Sequence, residues 1–389
     1  MSETEASEKY EEEVFITDLA IHRVRHLKDI HIPLSKDERK HLILTGKNGS
    51  GKTSVLNSIK TEIWSILSLP GGLVWADDKE GKKRQGVSFE FSGNRKYIDY
   101  FRDSHFVFSF YSARRQVDMT TPTGLNKIDL KRRFNIDEYP GKEFIQYIVN
   151  LKAEKSFARD DKDYETAQNI DLWFENFEDG LKEIFEDLSL RLDFDRKNYN
   201  FNIIQENKEP FDFNTLADGY SAIINVVADI ILRMGQNKTI SYDVQGLILI
   251  DEIDAHLHIN LQKKIFPFLT RFFPRIQFIV TTHSPFVLNS IENAVIYDLE
   301  KKLLVNDLSG YAYDGIVEGY FENDKYSEII KNKIAQYEQL VNREKRTETE
   351  EDQMIDLKKY LESIPGSLAP ELKAKFQQVE LYRIGKQHD

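Results

Sequence analysis

The stretch that most constrains the fold is residues 46–53, which has the pattern G-x-x-x-x-G-K-[ST]. It follows the apolar run 42–44 and precedes residues 54–59, whose apolar side chains recur at helical spacing. A buried strand that passes through a glycine-rich turn into a helix is the setting in which this pattern cradles phosphate. A glycine-rich turn without a ligand is the alternative.

Each residue type in this loop has a physical reason. Glycine permits backbone angles that turn successive amide N–H groups toward one anion, and the helix start adds its own N–H groups. Lys52 would reach the outer phosphates of a nucleotide, and the Thr53 hydroxyl would hold Mg²⁺. The residues predicted to contact the nucleotide here are Gly46, Asn48, Gly49, Ser50, Gly51, Lys52, Thr53 and Ser54.

A second signal is Asp251 followed by Glu252, directly after the apolar run 247–250. Open α/β sheets bind ligands at the carboxyl ends of their strands. Asp251 there suits Mg²⁺, and Glu252 suits a general base that polarises an attacking water. Acidic pairs also end strands as ordinary turn residues, but the phosphate loop supplies the other half of a Mg–nucleotide site.

Two weaker signals follow. His283 follows the next buried run, 276–280, by three residues. A neutral imidazole at this position could hydrogen-bond a terminal phosphate, although a lone histidine is more often structural. Residues 216–221 read LADGYS before an apolar helix, so Gly219 and Ser221 could form a second anion site. An ordinary capped helix would look much the same.

The composition limits the partners. The chain has 389 residues, no cysteine and a formal net charge of −12. We therefore expect no disulfide or thiolate metal site, a cytoplasmic location, and nucleic-acid contact only through local basic patches. Short basic runs, which are more often solvated surface, lie at 82–84, 114–115 and 131–133. No apolar run approaches the roughly 18–20 residues of a membrane span, and we expect no membrane partner.

The rest of the chain predicts an α/β protein with inserted and appended helices. Segments 14–21 with 30–34, and 86–91 with 95–101, alternate in the way of β-hairpins, and 105–111 predicts a strand. Charged helical patterns fill 141–188 and the region from about 323 onward. The predicted domains are an acidic disordered leader (1–13), a first lobe with the phosphate loop (14–140), a helical insert of two or three helices (141–188), a second lobe with Asp251, Glu252 and His283 (189–305) and a C-terminal helical region (306–389).

Together the four motif stretches resemble the heads of ATP-binding-cassette (ABC) ATPases, in the soluble group that includes SMC, RecF and OLD-like proteins. In this likeness 46–53 is the Walker A loop, 247–252 is Walker B, 254–258 is the D-loop and 282–285 holds the switch histidine. Residues 216–221 stand at the signature motif, where Asp replaces the first glycine and Ala the serine of LSGGQ. The likeness covers about 14–120 and 190–300, and Gln116 is the candidate Q-loop glutamine, with Arg114 or Arg115 as alternatives.

The resemblance implies an α/β ABC-ATPase head with a mixed, largely parallel sheet, an N-terminal antiparallel β-subdomain and helical additions. It implies ATP and Mg²⁺ as ligands. Lys52, Glu252 and His283 would be catalytic; Thr53, Asp251 and Gln116 would hold the metal; and Gln116, Gly219 and Ser221 would complete the nucleotide contacts. Because the signature of one head completes the ATP site of another, it also implies a head-to-tail homodimer or a higher even-numbered homo-oligomer.

The favoured function is a regulatory ATPase of bacterial anti-phage defence, as in Septu, PARIS and retron-linked systems, acting on a separate effector protein such as a nuclease or toxin. OLD nucleases carry a nuclease domain after the ATPase, whereas the C-terminal region here shows no clustered Glu and Asp-x-Asp metal site. The alternatives are a DNA-repair or chromosome-maintenance ATPase that binds DNA itself, and a nucleotide-gated scaffold with little turnover. A transporter subunit fits less well, given the inserts and the unusual signature.

Overall fold

The computed structural model describes residues 12–68, 85–115, 117–128, 130–131, 133–235, 244–305, 308–311, 315–316, 328–343, 345–364 and 370–386. The predicted leader, apart from Glu12 and Glu13, and the basic run 82–84 lie outside these ranges. The chain divides into two compact units, Met1–Tyr311 and Ala312–Asp389. The domain boundaries drawn from the sequence stay predictions.

The first unit contains three sheets and seven α-helices among its described residues. The strands are β1 (Ile16–Val24), β2 (Leu27–Pro33), β3 (His41–Thr45), β4 (Gly86–Phe91), β5 (Phe106–Tyr111), β6 (Arg191–Asp195), β7 (Asn200–Ile204), β8 (Phe211–Asp212), β9 (Gln245–Ile250), β10 (Ile276–Thr281), β11 (Ala294–Asp298) and β12 (Leu303–Val305). The helices are α1 (Lys52–Ser68), α2 (Lys96–Arg102), α3 (Phe144–Asp160), α4 (Tyr164–Phe185), α5 (Asp218–Met234), α6 (Ile259–Phe272) and α7 (Pro285–Leu288).

The central sheet has six strands in the order β12-β11-β3-β10-β9-β5. All pairs are parallel except β11 with β12. Strands β3, β9 and β10 are buried along their whole length, because helices cover parallel sheets on both faces. Their carboxyl ends therefore meet at one edge, where the phosphate loop, Asp251 and His283 follow. The predicted fold class, α/β with a mixed, largely parallel sheet as its core, is confirmed.

The N-terminal antiparallel sheet has the order β2-β1-β4. The predicted hairpin of 14–21 with 30–34 is present, with longer strands and a tight turn at Arg25 and His26. The second predicted hairpin is wrong, because β4 pairs with β1 and residues 96–102 form helix α2. The buried side chains of α2, Tyr97, Ile98, Tyr100 and Phe101, follow helical spacing.

The predicted helical insert consists of α3 and α4, preceded by a 3₁₀ turn at Pro140–Glu143. Trp173 and Phe177 of α4 stack at 5.4 Å, and Phe144 of α3 packs edge-on against Phe177 at the same distance. A third sheet, β6-β7-β8, follows the insert, as the two strands predicted there indicated. Phe185 at the end of α4 stacks at 4.2 Å on Tyr220 of α5, so the insert packs on the predicted signature helix.

The second unit contains three helices among its described residues, α8 (Glu328–Asn342), α9 (Glu348–Ser363) and α10 (Pro370–Lys386). They share a small core that includes Tyr337, Leu361 and Phe376. Thr347 and Glu350 form a capping box at the start of α9. No helix within the described ranges of either unit is long and apolar enough to cross a membrane.

Candidate nucleotide-binding site

The loop between β3 and α1 has the backbone that the sequence pattern predicts. Gly46, Gly49 and Gly51 have φ values of 129°, 87° and 103°, a region that side-chain-bearing residues rarely adopt. A Cβ on Gly46 would lie 2.8 Å from Ser50 Oγ, and one on Gly51 would lie 2.9 Å from Leu27 Cδ1. Glycine is therefore needed here both for backbone angle and for space.

The loop fits a bound phosphate. Ser50 Oγ is buried and has no hydrogen-bond partner among the described residues. The Lys52 ammonium bends back over the loop and donates to the carbonyls of Gly46 at 2.7 Å and Lys47 at 3.2 Å. Burial lowers the pKa of Lys52, against the pull of nearby carboxylates, the strongest being Glu252. A phosphate would give this buried cation a counter-charge and the loop amides an acceptor.

Thr53 and Asp251 lie together, as a Mg²⁺ site would require. Thr53 Oγ1 donates to Asp251 Oδ1 at 3.2 Å, and Thr281 Oγ1 donates to the same oxygen at 2.6 Å. No group of three or more His, Cys, Asp or Glu side chains able to hold a metal occurs in the described part of the chain. One hydroxyl and one carboxylate fit Mg²⁺, which in nucleotide sites takes its remaining ligands from phosphate and water. The hydrogen bond by which Thr281 positions Asp251 was not predicted.

Glu252 has a left-handed backbone, with φ of 46°. Its amide N–H donates to Thr281 Oγ1 at 2.7 Å, and Arg115 Nη2 donates to its carbonyl at 2.5 Å. Its side chain lines the cleft beside the phosphate loop. Two residues further on, Asp254 accepts a hydrogen bond of 2.5 Å from Thr282 Oγ1, which ties the predicted D-loop to the residue after β10.

His283 follows β10 and lies against Lys52, with 3.4 Å between Lys52 Nζ and His283 Nδ1. Burial, and then the charge of Lys52, lower the pKa of the imidazole. His283 is therefore neutral at physiological pH, and a neutral ring can both donate and accept a hydrogen bond.

Lys52, Thr53, Glu252 and His283 line one open cleft. Three residues that the sequence analysis did not place in the site also line it, among them Arg25 of the β1–β2 turn. The lining residues are Val24, Arg25, Asn48, Gly49, Gly51, Lys52, Thr53, Ser54, Asn57, Glu252 and His283.

The predicted signature residues are not among those that line this cleft. Gly219 and Ser221 lie in the first turn of α5, one turn earlier than the predicted helix start. A Cβ on Gly219 would lie 3.3 Å from the His256 carbonyl oxygen, so the helix start packs on the predicted D-loop. Gln116 lies outside the described residues.

Residues 42–289 match the family model described as "AAA domain, putative AbiEii toxin, Type IV TA system". The chain belongs to this family. The match spans the phosphate loop, Asp251, Glu252 and His283, and it confirms the predicted group of AAA/ABC-type ATP-binding proteins.

Three relatives with similar sequences are a Septu protein and two retron ATPases. A Septu protein PtuA of Bacillus mycoides (strain KBAB4) is 27% identical over 319 residues, 78% of this chain and 43% of that protein. A retron Ec83 probable ATPase of Escherichia coli is 34% identical over 155 residues, 37% and 28% of the two chains. A retron Vc95 probable ATPase of Vibrio cholerae serotype O1 biovar El Tor is 26% identical over 289 residues, 68% and 52%. The chain thus spans about half the length of these relatives or less.

Solved structures give a weaker likeness. An SMC head bound to the C-winged helix domain of ScpA has a TM-score of 0.40 and 14% identity, covering 73% of this chain and 94% of that one. CbiO1 of Clostridium perfringens, part of the ABC transporter complex cbiONQ, has a TM-score of 0.37 and 13% identity, covering 82% and 94%. Scores this low establish nothing about this chain, whose fold rests on its own topology and family match.

Proposed function

We propose that the protein binds ATP with Mg²⁺ and hydrolyses it to ADP and phosphate. The observation that carries this proposal is that Lys52, Thr53, Glu252 and His283, from three separate parts of the fold, line one cleft. A buried ammonium, a hydroxyl next to a carboxylate, a further carboxylate and a neutral imidazole are the groups that phosphoryl transfer to water requires.

Each side chain has one task in this proposal. Lys52 binds the outer phosphates, and Thr53 with Asp251 holds Mg²⁺, which would neutralise charge on the phosphate oxygens. Glu252 accepts the proton of the attacking water, and His283 hydrogen-bonds the terminal phosphate. Gln116 remains the proposed Q-loop contact to the metal and the terminal phosphate.

The proposal includes a head-to-tail homodimer, or a higher even-numbered assembly, that sandwiches two ATP molecules. The cleft is open, and Gly219 and Ser221 do not line it within one chain. A second copy that presents its signature helix would close each cleft, and hydrolysis would release the pair.

We place this ATPase in bacterial anti-phage defence, where it would regulate a separate effector such as a nuclease or toxin. The support is the sequence resemblance together with relatives named as a Septu protein and retron ATPases. Because this chain spans only part of those proteins, the effector and its trigger belong to the proposal alone.

Glu252→Gln tests the ATPase and the dimer together. We expect it to bind Mg-ATP, lose at least about 100-fold in turnover because the base is gone, and double in mass by light scattering with Mg-ATP. Glu292→Gln, which removes an exposed carboxylate before β11, is the matched control and should keep wild-type turnover. Undiminished turnover in Glu252→Gln would remove Glu252 from its role, and a protein that stays monomeric with ATP would refute the shared site.

The effector is tested by co-expression with the products of neighbouring genes, followed by purification with and without ATP. Co-elution of a nuclease or toxin supports the defence role. ATPase activity of the protein alone that rises with added DNA would instead support the DNA-repair alternative.

A further inference from the structure

Arg115 is a buried arginine beside the site that the proposed chemistry does not use. It follows β5, which pairs with the Asp251-bearing strand β9, and only 9% of its surface is exposed. Burial lowers the pKa of its guanidinium to about 10, opposed by Asp254 most of all, so the group stays charged at neutral pH. A buried charge is costly unless it is paired, so a specific structural task is expected for it.

The guanidinium of Arg115 holds the backbone of Glu252. Its Nη2 donates to the Glu252 carbonyl at 2.5 Å, while the Glu252 amide donates to Thr281 Oγ1 at 2.7 Å. Left-handed backbone in a residue other than glycine costs on the order of 1–3 kcal/mol and persists where its surroundings enforce it. At Glu252, with φ of 46°, these two hydrogen bonds hold the backbone from both sides.

The backbone of Arg115 contacts the predicted signature helix. Asn225 Nδ2 of α5 lies 3.3 Å from the Arg115 carbonyl oxygen and 3.4 Å from Ser221 Oγ. Arg115 also lines a small, mostly apolar cavity with Ala222 and Val226 of the same helix. One residue therefore touches both the Glu252 backbone and the helix whose first turn carries Ser221.

We propose that Arg115 is a positioning residue: it fixes the Glu252 backbone so that the carboxylate faces the cleft, and through Asn225 it links that backbone to Ser221. This rests on the proposed ATPase function, since Glu252 is there the base and Ser221 the group offered to a facing copy. Arg115 itself touches no nucleotide in this account. Its effect on turnover comes from the placement of Glu252.

The first test needs no nucleotide. Amide hydrogen exchange is measured in Arg115→Met and in Arg191→Met, a control that removes an exposed arginine of β6. Five amides in 251–257 are hydrogen-bonded, at Asp251, Glu252, Ile253, Ala255 and Leu257. We expect faster exchange at 251–257 and at the first turns of α5 in Arg115→Met only. Wild-type exchange in both segments would overturn the proposal.

The second test separates positioning from binding. A misplacement of about 1 Å costs on the order of 100-fold in rate, so kcat of Arg115→Met should fall by that order. The Kd for a fluorescent ATP analogue should stay within about threefold, because no nucleotide contact is lost. A Kd that weakens as much as kcat falls would make Arg115 a direct ligand and would overturn the proposal.

Arg115→Lys keeps a charged donor and should lie between wild type and Arg115→Met in exchange and in kcat. If Arg115→Met does not fold, the lysine variant decides alone: faster exchange confined to 251–257 and the start of α5 supports the proposal, and wild-type exchange with wild-type kcat refutes it. If the wild-type protein does not hydrolyse ATP, the proposed function fails, and hydrogen exchange still decides the role of Arg115.

Discussion

His41 gives the protein a pH dependence that can be worked out from its surroundings. It begins β3, the strand that leads into the phosphate loop, and only 5% of its surface is exposed. Its ring lies 5.6 Å from that of Phe266 and 5.8 Å from that of Phe278. Its Nδ1 accepts a hydrogen bond of 3.1 Å from the Phe278 amide, which requires that this nitrogen carry no proton.

Burial, followed by the charges of Arg39 and Lys40, lowers the pKa of His41 from 6.5 to about 3. Between these two values the unfolded chain binds a proton at this position and the folded chain does not. The free energy of unfolding therefore falls as the pH falls through this window. From pH 7 to pH 5 the loss attributable to His41 is about 2 kcal/mol.

The assay is urea unfolding of wild type and His41→Gln at pH 7 and pH 5. The tryptophans, at positions 64, 75 and 173, all fall within the unit 1–311, so their fluorescence reports that unit. Glutamine does not titrate and keeps an oxygen that can accept from the Phe278 amide. We expect wild type to lose about 2 kcal/mol more than His41→Gln between the two pH values. Equal losses in the two proteins would show that His41 is not held neutral by its surroundings.

Two further substitutions test the phosphate loop and the support of the signature helix. Gly51→Ala forces a φ of 103° on a residue with a side chain, at a cost on the order of 1–3 kcal/mol. We therefore expect weaker ATP binding in titrations of this variant. The control Gly124→Ala, at an open position, should bind ATP as wild type does. Equal affinities would contradict the loop geometry. Arg233→Met removes the charged partner, at 2.7 Å, of Asp229, which has no exposed surface. The change should cost about 3–5 kcal/mol in urea unfolding. The double variant Asp229→Leu, Arg233→Met should lose less; a cost below about 1 kcal/mol for the single change would refute this reading of the pair.

The candidate site could be predicted as one group because each of its motifs is a short, continuous pattern in the sequence. Each of the motifs at 46–53, 251–252 and 283 follows a buried strand that its apolar run predicts. Parallel strands bring such ends to one edge of the sheet, so proximity follows from topology alone. By contrast, the apolar residues of 95–101 fit both the alternation of a strand and the spacing of a helix. In so short a segment the two periods cannot be distinguished. In the structure the segment is a helix, which buries Tyr97, Ile98 and Tyr100 together.

The contacts that the sequence could not show join residues far apart in the chain through backbone atoms. Arg115 bonds the carbonyl of Glu252, 137 positions away, and no pattern of residue types marks a carbonyl. From sequence, Arg114 and Arg115 were equal alternatives to Gln116. Arg25 lines the cleft because the β1–β2 turn lies over the phosphate loop, where Leu27 would meet a Cβ on Gly51. That placement depends on how two sheets pack, which local spacing does not encode.

The segment 251–257 connects the phosphate loop with the predicted signature helix. Within one chain these two parts of the proposed ATP site do not line the same cleft. At its start Asp251 bonds Thr53 of the phosphate loop, and near its end the His256 carbonyl packs against Gly219 of the signature helix. Arg115 bonds the middle of the segment. A nucleotide that displaces the Thr53–Asp251 bond would therefore act on the same short segment that supports the face offered to a second copy. Because packed interiors shift between discrete arrangements rather than yield gradually, we expect this segment to couple the two nucleotide sites of the proposed dimer.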